Sequence, residues 1–115
     1  MFRLTSGAIG VDQGERVLFS DYEDDGEMWR GTGQRETRSA VRFTAPYVAL
    51  PAVQVTLAMG DMSNRTNIRY DLRAENVTVD GFEIVFRTWS DTKIARARVA
   101  WMAIGELEDE DNWKL

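Results

Sequence analysis

Four carboxylates stand within five residues, at Asp21, Glu23, Asp24 and Asp25. Oxygen ligands crowded in this way could hold a calcium ion. Their spacing does not follow the Asp-x-Asp-x-Asp-Gly calcium loop, so a solvated acidic loop is preferred and no metal is expected. Trp29 follows closely. It could offer a face for a sugar ring to stack on or plug the loop onto the core, and the plug is preferred. The chain has no histidine and no cysteine. That removes the commonest general base and transition-metal ligand, and with them disulfides and thiolate chemistry. A glycosidase-like pair of carboxylates would need neither, but no acidic pair here sits in a recognisable catalytic context. The expectation is a protein that is not an enzyme and uses no cofactor.

Composition narrows the classes further. The chain has 115 residues, enough for one domain with one core, and 43% of them are hydrophobic. Its formal charge of −5 argues against nucleic-acid binding, which needs a positive surface to release counterions from phosphate. No segment approaches the roughly 20 apolar residues that cross a bilayer. The start, Met-Phe-Arg-Leu-Thr-Ser-Gly, lacks the apolar run of a signal peptide. A soluble chain is expected, cytoplasmic or exported without an N-terminal signal.

The elements that would position any site are strands. Asn67 to Gly105 contains three runs of period two, the pattern of half-buried strands. Ile68, Tyr70, Leu72 and Ala74 oppose Asn67, Arg69, Asp71, Arg73 and Glu75. Phe82, Ile84 and Phe86 oppose Glu83, Val85, Arg87 and Trp89. Ala95, Ala97, Val99, Trp101 and Ala103 oppose Arg96 and Arg98, which places Trp101 in the core. Taken together, the three runs predict one sheet with an apolar face and a charged face. Upstream, Phe2–Ile9 reads as an opening strand and Glu15–Ser20 as a short edge strand. A loop spans Asp21–Arg35. Thr37–Phe43 and Ala52–Met59 read as further strands, and Gly60–Thr66 as a polar turn in which Asp61 caps the chain. Asp80-Gly81 signals a hairpin. Six or seven strands without a convincing helix predict an all-β fold, a single antiparallel β-sandwich. Its expected parts are N-terminal strands and acidic loop over 1–36, a core over 37–105 and an acidic tail over 106–115. Trp113 in that tail could dock or stay loose.

An ordered set of residues in the second half resembles the H-type lectin domain family, the group of discoidin C-terminal domains and an N-acetylgalactosamine-binding agglutinin. The set is Val41-Arg42-Phe43 with Pro46-Tyr47, then Pro51 with Val53 and Val55, then Asp61 eight residues before Arg69. It continues through Asn76-Val77-Thr78, Gly81-Phe82, Thr88-Trp89 with Asp91-Thr92, and Val99-Ala100-Trp101. The Asn76-Val77-Thr78 triplet also fits a glycosylation sequon, discounted here for want of an export signal.

The resemblance implies a six-stranded sandwich that assembles as a homotrimer, sometimes doubled to a hexamer, with sugar sites near subunit boundaries. It implies that Arg69 and Trp89 bind galactose or N-acetylgalactosamine-type sugars. Ser90 stands where the agglutinin has histidine, and Ala95 where a neighbouring copy supplies tyrosine. The Gly31-Thr32-Gly33 segment stands where the family carries a loop aspartate, so Asp24 or Asp25 would have to substitute, and Asp25 is the candidate. On this basis a multivalent carbohydrate-binding module is expected. A structural trimeric assembly or adhesion module that keeps the fold without the sugar site stays open beside it. In either case Arg69, Arg73, Arg96 and Arg98 would pair with Asp71 and Glu75, within or between subunits.

Overall fold

The computed structural model describes residues 1–5 and 7–108. Trp113 and the rest of the tail beyond position 108 lie outside the described residues. Six strands form two antiparallel three-stranded sheets. They are β1 (Ile9–Ser20), β2 (Arg35–Arg42), β3 (Ala52–Met62), β4 (Tyr70–Glu75), β5 (Gly81–Thr88) and β6 (Ile94–Glu106), with one helical turn, α1 (Glu27–Arg30), between β1 and β2. One sheet runs β1-β6-β3 and the other β2-β5-β4. Among the described residues no helix is long and apolar enough to cross a membrane.

The central strand of each sheet is the one whose inward positions are most apolar. From β5 come Phe82, Ile84 and Phe86; from β6 come Ala97, Val99, Trp101 and Ala103, all buried. Phe rings on one sheet meet alanines and one tryptophan on the other, so large faces small across the core. Trp101 packs edge-on against Phe82, with ring centroids 5.6 Å apart, as expected of a core residue. Its indole also explains Gly14 in the middle of β1. A Cβ there would lie 2.9 Å from the indole nitrogen, so the strand leaves room for the ring rather than turning.

Several boundaries differ from the sequence expectation. Phe2–Ile9 is not a strand; pairing begins only at Ile9, opposite Glu106. The expected short edge strand at Glu15–Ser20 is the second half of β1, which is indeed an edge but 12 residues long. Gly10 and Gly14 sit inside it, against Leu107 and Trp101 respectively, and do not break it. β3 continues through Gly60 to Met62, so Asp61 is a strand residue that binds Arg96 at 3.1 Å instead of capping a turn. β4 begins at Tyr70, which leaves Asn67–Arg69 as a lead-in loop with Ile68 exposed. In the loop before β2 the plug is Met28, 2% exposed, not Trp29.

The largest correction concerns the charged face. β4 and β5 share one sheet while β6 is the centre of the other, so the arginines lie on opposite outer surfaces. Period two assigns a residue to a face but not to a sheet partner. Arg96 therefore pairs with Asp61, and Arg98 with Glu15 at 3.8 Å, away from Asp71 and Glu75. Arg73 does pair with Asp71, at 2.7 Å.

The outer face of β2-β5-β4 is an ion-pair layer built by register. Glu36, Arg87 and Asp71 stand in one row, and Arg38, Val85 and Arg73 in the next. Arg87 binds Glu36 and Glu75, each at 2.8 Å, and Arg38 reaches Glu36, Glu75 and Glu83 at 3.2–3.4 Å. Val85 lies on this outer side yet has no solvent exposure. Its cross-strand neighbours on this side are Arg38 and Arg73, long side chains whose aliphatic stems can cover an apolar residue while their heads pair in water. Hydrogen bonding to Arg87 holds the Glu75 carboxyl below its ordinary range, reinforced by the charges of Arg87 and Arg38. Glu75 therefore stabilises the fold above its unfolded-state pKa of about 4.3, and that stabilisation is lost as pH falls through its lower folded value. Glu75→Gln is expected to lower the thermal midpoint at neutral pH, and the deficit should vanish in strong acid. Melting curves of the two proteins across the acid range test this, and a deficit constant with pH would refute it.

Candidate functional site

Three connections meet at one end of the sandwich: residues 21–34, 63–69 and 89–93. Arg35, the first residue of β2, ties two of them together. It is 6% exposed and has no carboxylate partner within ion-pair distance among the described residues. Its guanidinium donates to carbonyls instead. Nε binds Gly33 O at 3.0 Å, and one terminal nitrogen binds Ser90 O at 3.1 Å. The other terminal nitrogen binds Thr92 O at 2.8 Å and Met28 O at 3.3 Å, with Glu27 O at 3.4 Å. Burial lowers the Arg35 pKa from its ordinary value, and the charge of Glu27 partly opposes this. The Gly33 N–H donates to Ser90 O at 2.9 Å, closing the glycine segment onto the β5–β6 turn.

The third connection is held by two threonines. Thr88 and Thr92 are buried and flank the turn. The Thr88 hydroxyl donates to Arg69 O. The Thr92 hydroxyl donates to Asn67 O at 2.8 Å and accepts from the Arg69 N–H at 3.1 Å. The backbone of Asn67–Arg69 is thus fixed before any side chain acts. Between the threonines, Ser90 adopts φ +63°, a left-handed conformation that costs a non-glycine residue about 1–2 kcal/mol. The two hydrogen bonds to its carbonyl offset this.

Beside the turn lies an open groove of about 540 Å³. Arg35 and Thr88 contribute to it, with Gln34, Glu36, Asp71, Arg87 and Trp89. Trp89 is 40% exposed. An exposed indole beside carboxylates, an amide and a guanidinium can stack on an apolar ring face while bonding hydroxyl edges.

The four candidate residues distribute as follows. Arg69 and Trp89 are each the next residue beyond the last ladder pair, Tyr70 opposite Thr88. Ser90 adjoins Trp89 and is exposed. Arg69 is half exposed, its head 4.0 Å from Asp91 of the same turn. Trp89, Ser90 and Arg69 therefore share one loop cluster, although Arg69 and Ser90 do not line the groove itself. Asp25 is exposed in the turn before α1, at φ +53°, and also does not line the groove. In the acidic loop, Asp21 serves as an internal brace, its carboxylate accepting from the Met28 N–H at 3.0 Å. Among the described residues no three metal-ligating side chains converge. Sequence reasoning missed Arg35, Glu36, Arg87 and the two threonines. Only the threonines left a signal, a hydroxyl at each end of one turn.

Comparison with known proteins decides the family. The H-type lectin domain matches residues 38–104. The chain belongs to the H-type lectin domain family. It is 51% identical, over all of its own length and 99% of the relative's, to a protein of Fuscovulum blasticum called ATP synthase subunits region ORF 7. That name assigns no activity. It is 32% identical over 74 residues to a discoidin-1 polypeptide of Dictyostelium discoideum, covering 64% of this chain and 29% of that one. The chain thus spans about three-tenths of the discoidin. Recombinant discoidin II of the same organism superposes with a TM-score of 0.73 at 22% identity, over 90% of this chain and 39% of that one. The latter likeness bears on the fold, a sandwich of the same kind.

Removing the Arg35 clamp should destabilise this lectin domain more than its surface arginines would. Arg35→Met is expected to cost about 3 kcal/mol, since a charged donor is lost and buried carbonyls are left unpartnered. Arg35→Lys should recover little, because an ammonium lacks the planar fork that reaches separate carbonyls. Denaturant melts measure both. A cost under about 1 kcal/mol for the methionine variant would mean the clamp is dispensable.

Proposed function

We propose that this chain is a non-catalytic carbohydrate-binding module, multivalent through a homotrimer, that takes galactose or N-acetylgalactosamine-type sugars at subunit boundaries. The observation that carries the reading is the indole of Trp89, exposed on a polar groove at the end where the loops are locked together. In this proposal Trp89 packs on the C–H face of the pyranose. Arg69 and Ser90 bond its hydroxyl or acetamido groups, and Asp25 supplies an acid from the loop of the same or a neighbouring copy. The turn that carries Trp89 is positioned through backbone and threonine contacts, so ligand-facing side chains are free of structural duty.

Self-association is supported by the outer face of β1-β6-β3. Ile9, Val11, Val17 and Met102 are exposed there beside neutral Gln13, Gln54 and Thr56. Such a face is suited to burial against another copy, and a head-to-tail contact between copies can close into a ring. Shallow single sites bind weakly, so a trimer would act through avidity.

A second reading, an assembly or adhesion module without a sugar site, is favoured by the engagement of Arg69 with Asp91. Trp89→Ala separates the two. The lectin reading expects titration calorimetry to show galactoside affinity reduced at least about tenfold at unchanged thermal stability, since stacking is lost from an exposed ring. Unaltered binding, or no binding by the parent protein to any glycan of an array, would leave the assembly reading. Sedimentation of a Val11→Glu, Met102→Glu variant tests the interface. A loss of the trimer is expected, whereas a parent protein that sediments as a monomer would remove multivalency from the proposal.

A further inference from the structure

The same loop end carries a second pocket that shares no lining residue with the Trp89 groove. Its volume is about 590 Å³. Tyr22 and Trp29 form its aromatic wall, packed edge to face with centroids 5.0 Å apart. Tyr22 is 59% exposed although it is large and aromatic. Arg65, Asn64 and Thr66 come from the β3–β4 connection and Lys93 from the β5–β6 connection.

The charge of this pocket is at odds with the chain as a whole. The protein carries a formal charge of −5, yet no carboxylate lines the pocket while two cations do. Among the described residues neither Arg65 nor Lys93 has a carboxylate within ion-pair distance. Glu23 and Asp61 line the adjoining groove, which shares Tyr22 and Trp29, and Asp61 is occupied by Arg96; Asp91, two residues before Lys93, faces Arg69. Lys93 Nζ stands 5.9 Å from the centre of the Trp29 ring, a cation–π arrangement that keeps its charge beside the aromatic wall.

We propose that this pocket is a second glycan site, selective for a sugar that bears a carboxylate or sulfate group. The apolar ring face lies against Tyr22 and Trp29. The anionic group is received by Lys93 and Arg65, and ring hydroxyls by Asn64. Charge-assisted hydrogen bonds give the anion its preference over a neutral sugar, and the aromatic wall gives the sugar its preference over a bare anion. The site stands independently of the Trp89 proposal.

Its test is a nitrogen-15 NMR titration of the full chain with galactose 6-sulfate, glucuronic acid, galactose and inorganic sulfate. An acidic sugar is expected to move the Trp29 indole N–H and the amides of residues 64–66 and 93, while galactose leaves them in place. Inorganic sulfate should bind there at least about fivefold more weakly, having no ring to stack. Lys93→Gln combined with Arg65→Gln should weaken the acidic sugar at least about tenfold, and Tyr22→Ala about threefold or more. Trp89→Ala should leave these signals responsive, whatever happens to galactose binding. The proposal is overturned if both acidic sugars leave these signals unmoved, if sulfate alone binds as tightly, or if the double variant binds unchanged.

Discussion

A guanidinium buried without a carboxylate is costly unless its donors are satisfied, and here backbone carbonyls satisfy them. That requirement orders the loop end. Gly33, Ser90 and Thr92 must present their carbonyls toward Arg35 at once, which fixes the glycine segment against the β5–β6 turn. The turn in turn fixes Asn67–Arg69 through Thr88 and Thr92. Trp89 then has little freedom of position, because both neighbours of its backbone are pinned. The rigidity of the loop end therefore comes from a polar hub rather than from apolar packing.

The two sheets solve the problem of their outer faces differently. On β2-β5-β4 the outward rows Glu36-Arg87-Asp71, Arg38-Val85-Arg73 and Ala40-Glu83-Glu75 bring opposite charges together within and between rows, with Val85 buried among them. Each exposed pair contributes little alone, but a shared network loses less entropy per contact because its members fix one another. On β1-β6-β3 the ion pairs among the described residues are Arg96–Asp61 and Arg98–Glu15 near the loop end, and from there to Glu106 at the far end the face exposes Val11, Gln13, Gln54, Thr56 and Met102. One outer surface is thus tied together by ion pairs and the other exposes apolar side chains, which is the asymmetry that the proposed self-association would use.

Much of the fold is legible because burial writes itself into the sequence as alternation. Phe82, Ile84 and Phe86, and Val99 and Trp101, can be assigned inward without knowing their partners. What alternation omits is which strands pair, and so it groups β6 with β4 and β5 instead of with β1 and β3. Glycine misleads in the same region. Gly10 reads as the end of an opening strand, but it and Gly14 lie within β1, where Leu107 and Trp101 press on the backbone. At the site, Trp89 and Arg69 are legible through an ordered set of family residues, whereas Arg35 is not. One arginine at a strand start looks like any other, since its role depends in part on the carbonyls of Ser90 and Thr92, more than fifty residues away in sequence. Trp29 misleads for a related reason: size suggests burial, yet the unbranched Met28 fills the core position and the indole is only half-buried, packed against Tyr22.

The division between backbone and side chain at the loop end bears on how such a domain changes ligand. The Ser90 carbonyl is spent on Arg35 and Gly33, and its left-handed conformation is set by the turn, so the residue's side chain carries no part of the frame. A histidine, serine or asparagine there would leave the clamp as it is. The same holds for Tyr22, whose N–H binds Ala95 O while its ring projects outward. Loops anchored through main-chain atoms can exchange their outward side chains without repacking the core, so ligand chemistry and fold stability are governed by different atoms of the same residues. The sandwich can therefore keep one architecture while the side chains at 22, 69, 89 and 90 vary, because Arg35, Thr88 and Thr92 hold the frame without them.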